Sequence, residues 1–108
     1  MVLDVVELSV RVIEEMRLPV ERIARRDRDL GRQIRRAAAS VALNLAEGRA
    51  RSGADRAHAF RIARGSAGEV RVALRVARAW GYTEARAVGP IDAILDRICA
   101  MCWRLERS

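Results

Sequence analysis

Lysine is absent from this chain, and arginine alone supplies its 21 basic side chains. Aromatic residues are nearly missing: one Phe, one Tyr and two Trp. Two cysteines are too few for a secreted disulfide scaffold. Histidine occurs once, at position 58, with Asp55 three residues before it but no motif that supplies a nucleophile or a bound water. No uncharged apolar run approaches the roughly 20 residues of a membrane span. Asp4 and Glu7 interrupt the first apolar pattern, so no signal peptide is expected, and the cytoplasm is the expected compartment. Glycines 48, 53, 65 and 68 fit neither a P-loop nor a dinucleotide fingerprint. Cys99 and Cys102 lie mid-helix with no second ligand pair, which favours buried thiols over a zinc or redox site. These absences argue against an enzyme, and neither cofactor nor metal is expected.

What is present is charge of one sign in one place. The chain of 108 residues carries a formal +7. Residues 1–16 hold one arginine against four acids. Residues 17–78 hold sixteen arginines against six acids, a local +10, and residues 79–108 hold four of each. A concentrated basic segment suggests a polyanionic partner. The alternative is a solvated face whose arginine reflects codon bias.

The apolar periodicity is helical throughout, with no strand alternation, internal repeat or low-complexity tail. One domain, residues 1–108, is expected as an all-α, antiparallel up-and-down four-helix bundle. The helices are placed at about 2–17, 28–47, 54–80 and 90–106. Val2, Val5, Val6, Val10 (or Ser9) and Ile13 form the first core stripe. Leu18-Pro19 is expected to end that helix, leaving residues 20–28 as a charged connector. Asp27 and Asp29 mark the start of the second helix. Gly48 is its stop signal, and Ser52 with Asp55 resembles a capping box. Gly65 and Gly68 inside the third helix suit a close backbone approach, and Pro90 suits a first helical position. Cys102 or Met101 joins the core stripe of the last helix.

Two stripes stand out. At about 100° per residue, Gln33, Arg36, Ser40, Asn44 and Glu47 fall within an arc of about 80° beside the apolar face of the second helix. With Arg64, Ser66 and Glu69 of the third helix they form a candidate polar network, with Glu47–Arg64 and Arg36–Glu69 as charge-matched pairs. A small-molecule or metal site is the alternative. Arg61, Arg64, Arg71, Arg75 and Arg78 fall within an arc of about 100° on the third helix, and no acid of that helix shares it. A second apolar stripe of Ile62, Ala73, Val76 and Trp80 leads to the expectation that this helix buries two sides. Guanidinium forks suit phosphate, so these five arginines, with Arg25, Arg26 and Arg28 of the connector, are the candidate nucleic-acid contacts. Phe60 reads as core, and Trp80, Tyr82 and Trp103 as helix-end packing. Binding is therefore expected to be backbone-driven and salt-dependent rather than base-specific.

Gln33-Ile34-Arg35-Arg36-Ala37, Ser40, Asn44, Ala46-Glu47-Gly48 and Arg51 resemble the signature of the 23S rRNA intervening-sequence protein family. Phe60, Ile62-Ala63-Arg64-Gly65-Ser66, Glu69, Leu74, Ala77 and Gly81-Tyr82 resemble its second block, and Leu18-Pro19 its pre-helix proline. The likeness runs from about Leu18 to Tyr82. It departs from the pattern in a first helix without aromatics and a longer, more basic connector. The resemblance implies a four-helix bundle assembled as a cyclic homopentamer. It also implies a relation to accessory variability proteins of diversity-generating retroelements, which are basic pentamers that bind nucleic acid and a reverse transcriptase. The expectation is thus a non-enzymatic, self-associating bundle that binds RNA or DNA non-specifically. The alternative is an adaptor that docks an acidic protein such as a reverse transcriptase.

Overall fold

The computed structural model describes residues 4–108, and these form four helices with no strand among them. Helix α1 spans Val5–Arg26, α2 Arg28–Ala50, α3 Gly53–Ala79 and α4 Ala85–Glu106. Each helix packs against the next, and α1 closes the ring against α4. Contacts across the turns fix the antiparallel order: Ser40 meets Ser66, and Arg71 meets Asp92. A core of Leu8, Val12, Met16, Ile23, Ile34, Leu45, Phe60, Leu74, Leu95 and Ile98 runs the length of the bundle. Alanines 63, 67 and 77 of α3 are buried with it, and their small side chains let the helices pack closely.

The first helix differs from the sequence reading. Pro19 lies inside α1, not after it, and the expected connector 20–28 is helical as far as Arg26. A proline frees the carbonyl four residues back; here that carbonyl belongs to Glu15, an exposed residue. Val20 and Ile23 are core residues, and burying them favours continuing the helix. The core stripe is Leu8, Ser9, Val12, Met16, Val20 and Ile23, while Val10 is exposed and Val5, Val6 and Ile13 are partly buried. Val2 lies outside the described residues. Buried Ser9 is satisfied by donating to the Val6 carbonyl at 2.6 Å.

Asp27 alone separates α1 from α2. Its N–H reaches the Ile23 carbonyl at 2.8 Å, and its carboxylate accepts from the Leu30 N–H at 3.0 Å. One residue closes one helix and caps the next. Asp29 instead accepts from Arg32 and Gln33. The turn is tight because Gly31 faces Ala24: a Cβ at Gly31 would lie 2.5 Å from that of Ala24.

Three further expectations are corrected. Gly48 does not stop α2, which runs on to Ala50. Ser52 precedes α3, yet its side chain makes no capping bond. Pro90 does not open the last helix, because α4 begins at Ala85 and the carbonyl that Pro90 frees, on Arg86, is at an exposed position. The end of α3 follows the sequence signal. Gly81, at φ +78, lets the chain turn, and the Tyr82 N–H closes onto the Ala77 carbonyl at 2.9 Å.

Candidate nucleic-acid interface

The arginine column of α3 faces α4, and α4 answers it with acids. Arg71 is paired with two acids: Nε and Nη2 grip Asp92 at 2.8 and 3.2 Å, and Nη1 donates to Asp96 at 3.0 Å. Arg64 grips Glu106 with Nε and Nη2, the latter at 3.0 Å, and Arg61 lies 3.7 Å from the same carboxylate. The Glu106 side chain is only 5% exposed. Hydrogen bonds from Arg64 hold the Glu106 carboxyl below its ordinary range, and those from Arg71 do the same for Asp92. Three of the five stripe arginines are therefore internal ion-pair partners: no acid of α3 shares their arc, but acids of α4 face it. The signal was in the sequence: Asp92, Asp96 and Glu106 fall within about 80° on one helix.

Arg75 and Arg78 are different. Both are exposed, and neither has a carboxylate within salt-bridge distance among the described residues. They line a cleft of about 620 Å³ between α3 and α4, with Arg71, its ion-pair partner Asp92, Val72, Gly68 and Gly89. A Cβ at Gly65, Gly68 or Gly89 would meet nothing within 4 Å. These glycines keep space open rather than admitting a neighbouring backbone, as had been expected for the two in α3.

The connector arginines join them at the same end. Arg25 pairs with Glu21 at 3.3 Å. Arg26 places its guanidinium 5.5 Å from the Tyr82 ring centroid, tying the α1–α2 turn to the α3–α4 turn. Arg28 is exposed, with no ion pair among the described residues. Residues 21–32 and 75–86, which make up this end, hold eight arginines against four acids. More than half of the net +7 is thus gathered at one end of the bundle.

The polar stripe of α2 is only partly drawn together. Ser40 and Ser66 share a hydrogen bond of 2.8 Å across α2 and α3, and Asn44 donates to the Ser40 carbonyl at 2.9 Å and its hydroxyl at 3.2 Å. The proposed charge pairs are not formed. Glu47 accepts from Arg51, Arg64 belongs to Glu106, and Gln33 donates to Asp29. Arg36 and Glu69 point to solvent. No buried side-chain polar atom among the described residues lacks a partner.

His58 is exposed, beside Asp55, Glu47 and Asn44 in a shallow depression. Cys102 is buried, and burial pushes its thiol up to about 12. No group of three or more His, Cys, Asp or Glu side chains is placed to hold a metal ion among the described residues. No helix among them is long and apolar enough to cross a membrane.

Aromatic placement departs furthest from the sequence reading. Trp80 is 68% exposed at the end of α3 rather than packed. Its ring lies 6.4 Å from that of Tyr82, with planes 17° apart. Trp103 is also exposed, under the Arg107 guanidinium.

Fold and charge together define a small, all-helical bundle with one strongly basic end. Residues 2–104 match the 23S rRNA-intervening sequence protein family, and the chain belongs to that family. No curated protein and no solved structure matches it.

Proposed function

We propose that this chain is a non-enzymatic, self-associating bundle that binds nucleic acid through its basic end, by contacts to the phosphate backbone. The observation that carries the reading is the state of Arg75 and Arg78. They stand unpaired beside an open cleft, while Arg61, Arg64 and Arg71 of the same helix are engaged by α4. Arg28 extends the unpaired set at the same end. Guanidinium groups held in a row repel one another until anions lie between them, and phosphate accepts their paired N–H groups. The unpaired arginines form the binding surface, and the ion-paired arginines hold α3 in register behind it.

A cyclic homopentamer is the assembly proposed. Five copies would bring five basic ends to one side of a ring, so that weak contacts add along a single strand. The apolar outer face of α3, with Ile62, Val72 and Val76 exposed, supports self-association.

The test is a titration of RNA and DNA oligonucleotides at several salt concentrations. About four phosphate contacts per site give a slope near −3 in log K against log salt. The double variant Arg75→Gln/Arg78→Gln should flatten that slope by about 1.5 and weaken all sequences alike. Absence of binding at low salt, or binding indifferent to salt, would falsify the reading. Capture of an acidic protein that survives nuclease treatment, without nucleic-acid binding, would favour the adaptor reading instead.

A further inference from the structure

Trp80 and Tyr82 sit at the most basic end of the molecule, and their arrangement does more than fill space. Tyr82 is the anchored member. It packs against the core cluster, its N–H closes the end of α3, and Arg26 lies over its ring. Trp80 is the outward member, held by the same helix end and nearly parallel to Tyr82. A large apolar ring left two-thirds exposed at a helix terminus loses contact with water whenever a flat partner covers it. The partner that suits an indole face among arginines is both flat and attached to anionic charge. A nucleobase meets that description. Its ring stacks on the aromatic, and Arg26, whose guanidinium lies over the neighbouring Tyr82 ring, supplies a cation for its phosphate.

We infer that Trp80, backed by Tyr82 and Arg26, is a stacking platform for an unpaired base, so that the basic end prefers single-stranded over double-stranded nucleic acid. The inference rests on the proposed nucleic-acid binding and specifies its strand preference. In a duplex the base faces are covered by their neighbours, and the platform has nothing to stack on. The preference is tolerant of sequence, because every base offers a face. The carbonyls at the end of α3 repel phosphate directly, which places the base at the helix terminus and the backbone along the flanking arginines.

The test uses the full chain in a Trp103→Phe background, where Trp80 is the one remaining indole. An oligothymidine and a duplex of equal length are titrated at low and moderate salt. The expected result is tighter binding of the single strand and quenching of Trp80 fluorescence by it. Trp80→Ala should weaken single-strand binding by roughly 5- to 150-fold, leaving duplex binding and the salt slope unchanged. Trp80 is exposed, so the variant should keep the parent's helical circular dichroism. Equal affinity for both probes, with no effect of Trp80→Ala, overturns the platform while leaving backbone binding intact. A change of oligomeric state in Trp80→Ala, without loss of strand preference, assigns the indole to a subunit contact and also overturns it. Binding of neither probe at low salt overturns both this inference and the reading beneath it.

Discussion

Gly48 carries a structural job that its place in the chain conceals. It lies near the end of α2, where a glycine ordinarily marks a stop, yet the helix passes through it. The missing side chain makes room for Phe60. A Cβ there would lie 2.7 Å from the ring, and the ring cannot retreat, because it is buried and has the Arg56 guanidinium 4.8 Å from its centre. Arg56 also donates to the Gly48 carbonyl at 3.3 Å, so one arginine holds both partners. Gly48→Ala would raise helix propensity and still destabilise the fold. Overpacking of this kind costs about 1–3 kcal/mol, which outweighs a propensity gain of about 1 kcal/mol. Denaturant unfolding should show a lower midpoint with an unchanged slope, and partial recovery in Gly48→Ala/Phe60→Leu. Phe60 was legible as core from its spacing. Its partner was not, because the meeting depends on where the α2–α3 turn falls.

At the scale of elements, turns decide what can be read. Ser40 with Ser66, and Gly48 with Phe60, are each nearly symmetric about residue 53, where α3 begins. The Arg36–Glu69 pairing expected from sequence has that same symmetry, so its level along the helices was right. Its face was wrong, since both residues lie outside the α2–α3 contact and point to solvent. Helical period and core type were legible for α2, α3 and α4. The length of α1 was not, because the local preference of Leu18-Pro19 was overridden by burial of Val20 and Ile23. The α3–α4 ion pairs were half legible: both charged stripes are in the sequence, but only the fold opposes them.

Those ion pairs carry a pH dependence with a definite sign. Arg64 holds the Glu106 carboxyl below its ordinary 4.5, and Arg71 holds that of Asp92 below 3.8. The folded chain therefore binds fewer protons than the unfolded chain in acid. Their stabilising contribution is complete above the ordinary carboxyl values and is lost as pH falls through the lowered ones. Glu106→Gln should cost about 1 kcal/mol at neutral pH, a modest figure because solvent reaches Arg64. Melting curves of parent and variant should converge as pH drops below 4.5.

At the scale of the whole molecule, the question is what covers the outer face of α3. The second apolar stripe of this helix was expected to be buried, and within the single chain it is not. Ile62 and Val76 are exposed, Val72 is 57% exposed, and Leu43 on the outer side of α2 is 69% exposed. Gly65 lies on the same outward side of α3, with open space where a side chain would be. A 108-residue chain rich in buried alanine has modest apolar area inside it, and a second copy is the occupant proposed for the Ile62–Val76 part of this face, leaving Trp80 at the helix end outside the contact. A charged side chain at its centre should then act on assembly and not on folding. Val72→Glu is the sharpest choice, because Val72 points away from the core and its loss removes little intrachain packing. Light scattering of the parent should give about five times the 12.1 kDa chain mass. Val72→Glu should lower that mass toward the single chain while keeping the helical circular dichroism. Val72 also borders the cleft that Arg75 and Arg78 line, so the new carboxylate should weaken binding of a short oligonucleotide as well, and a long strand should lose more as the copies separate. A parent that sediments as a monomer, or a variant that keeps the full assembly, would remove α3 from the subunit contact.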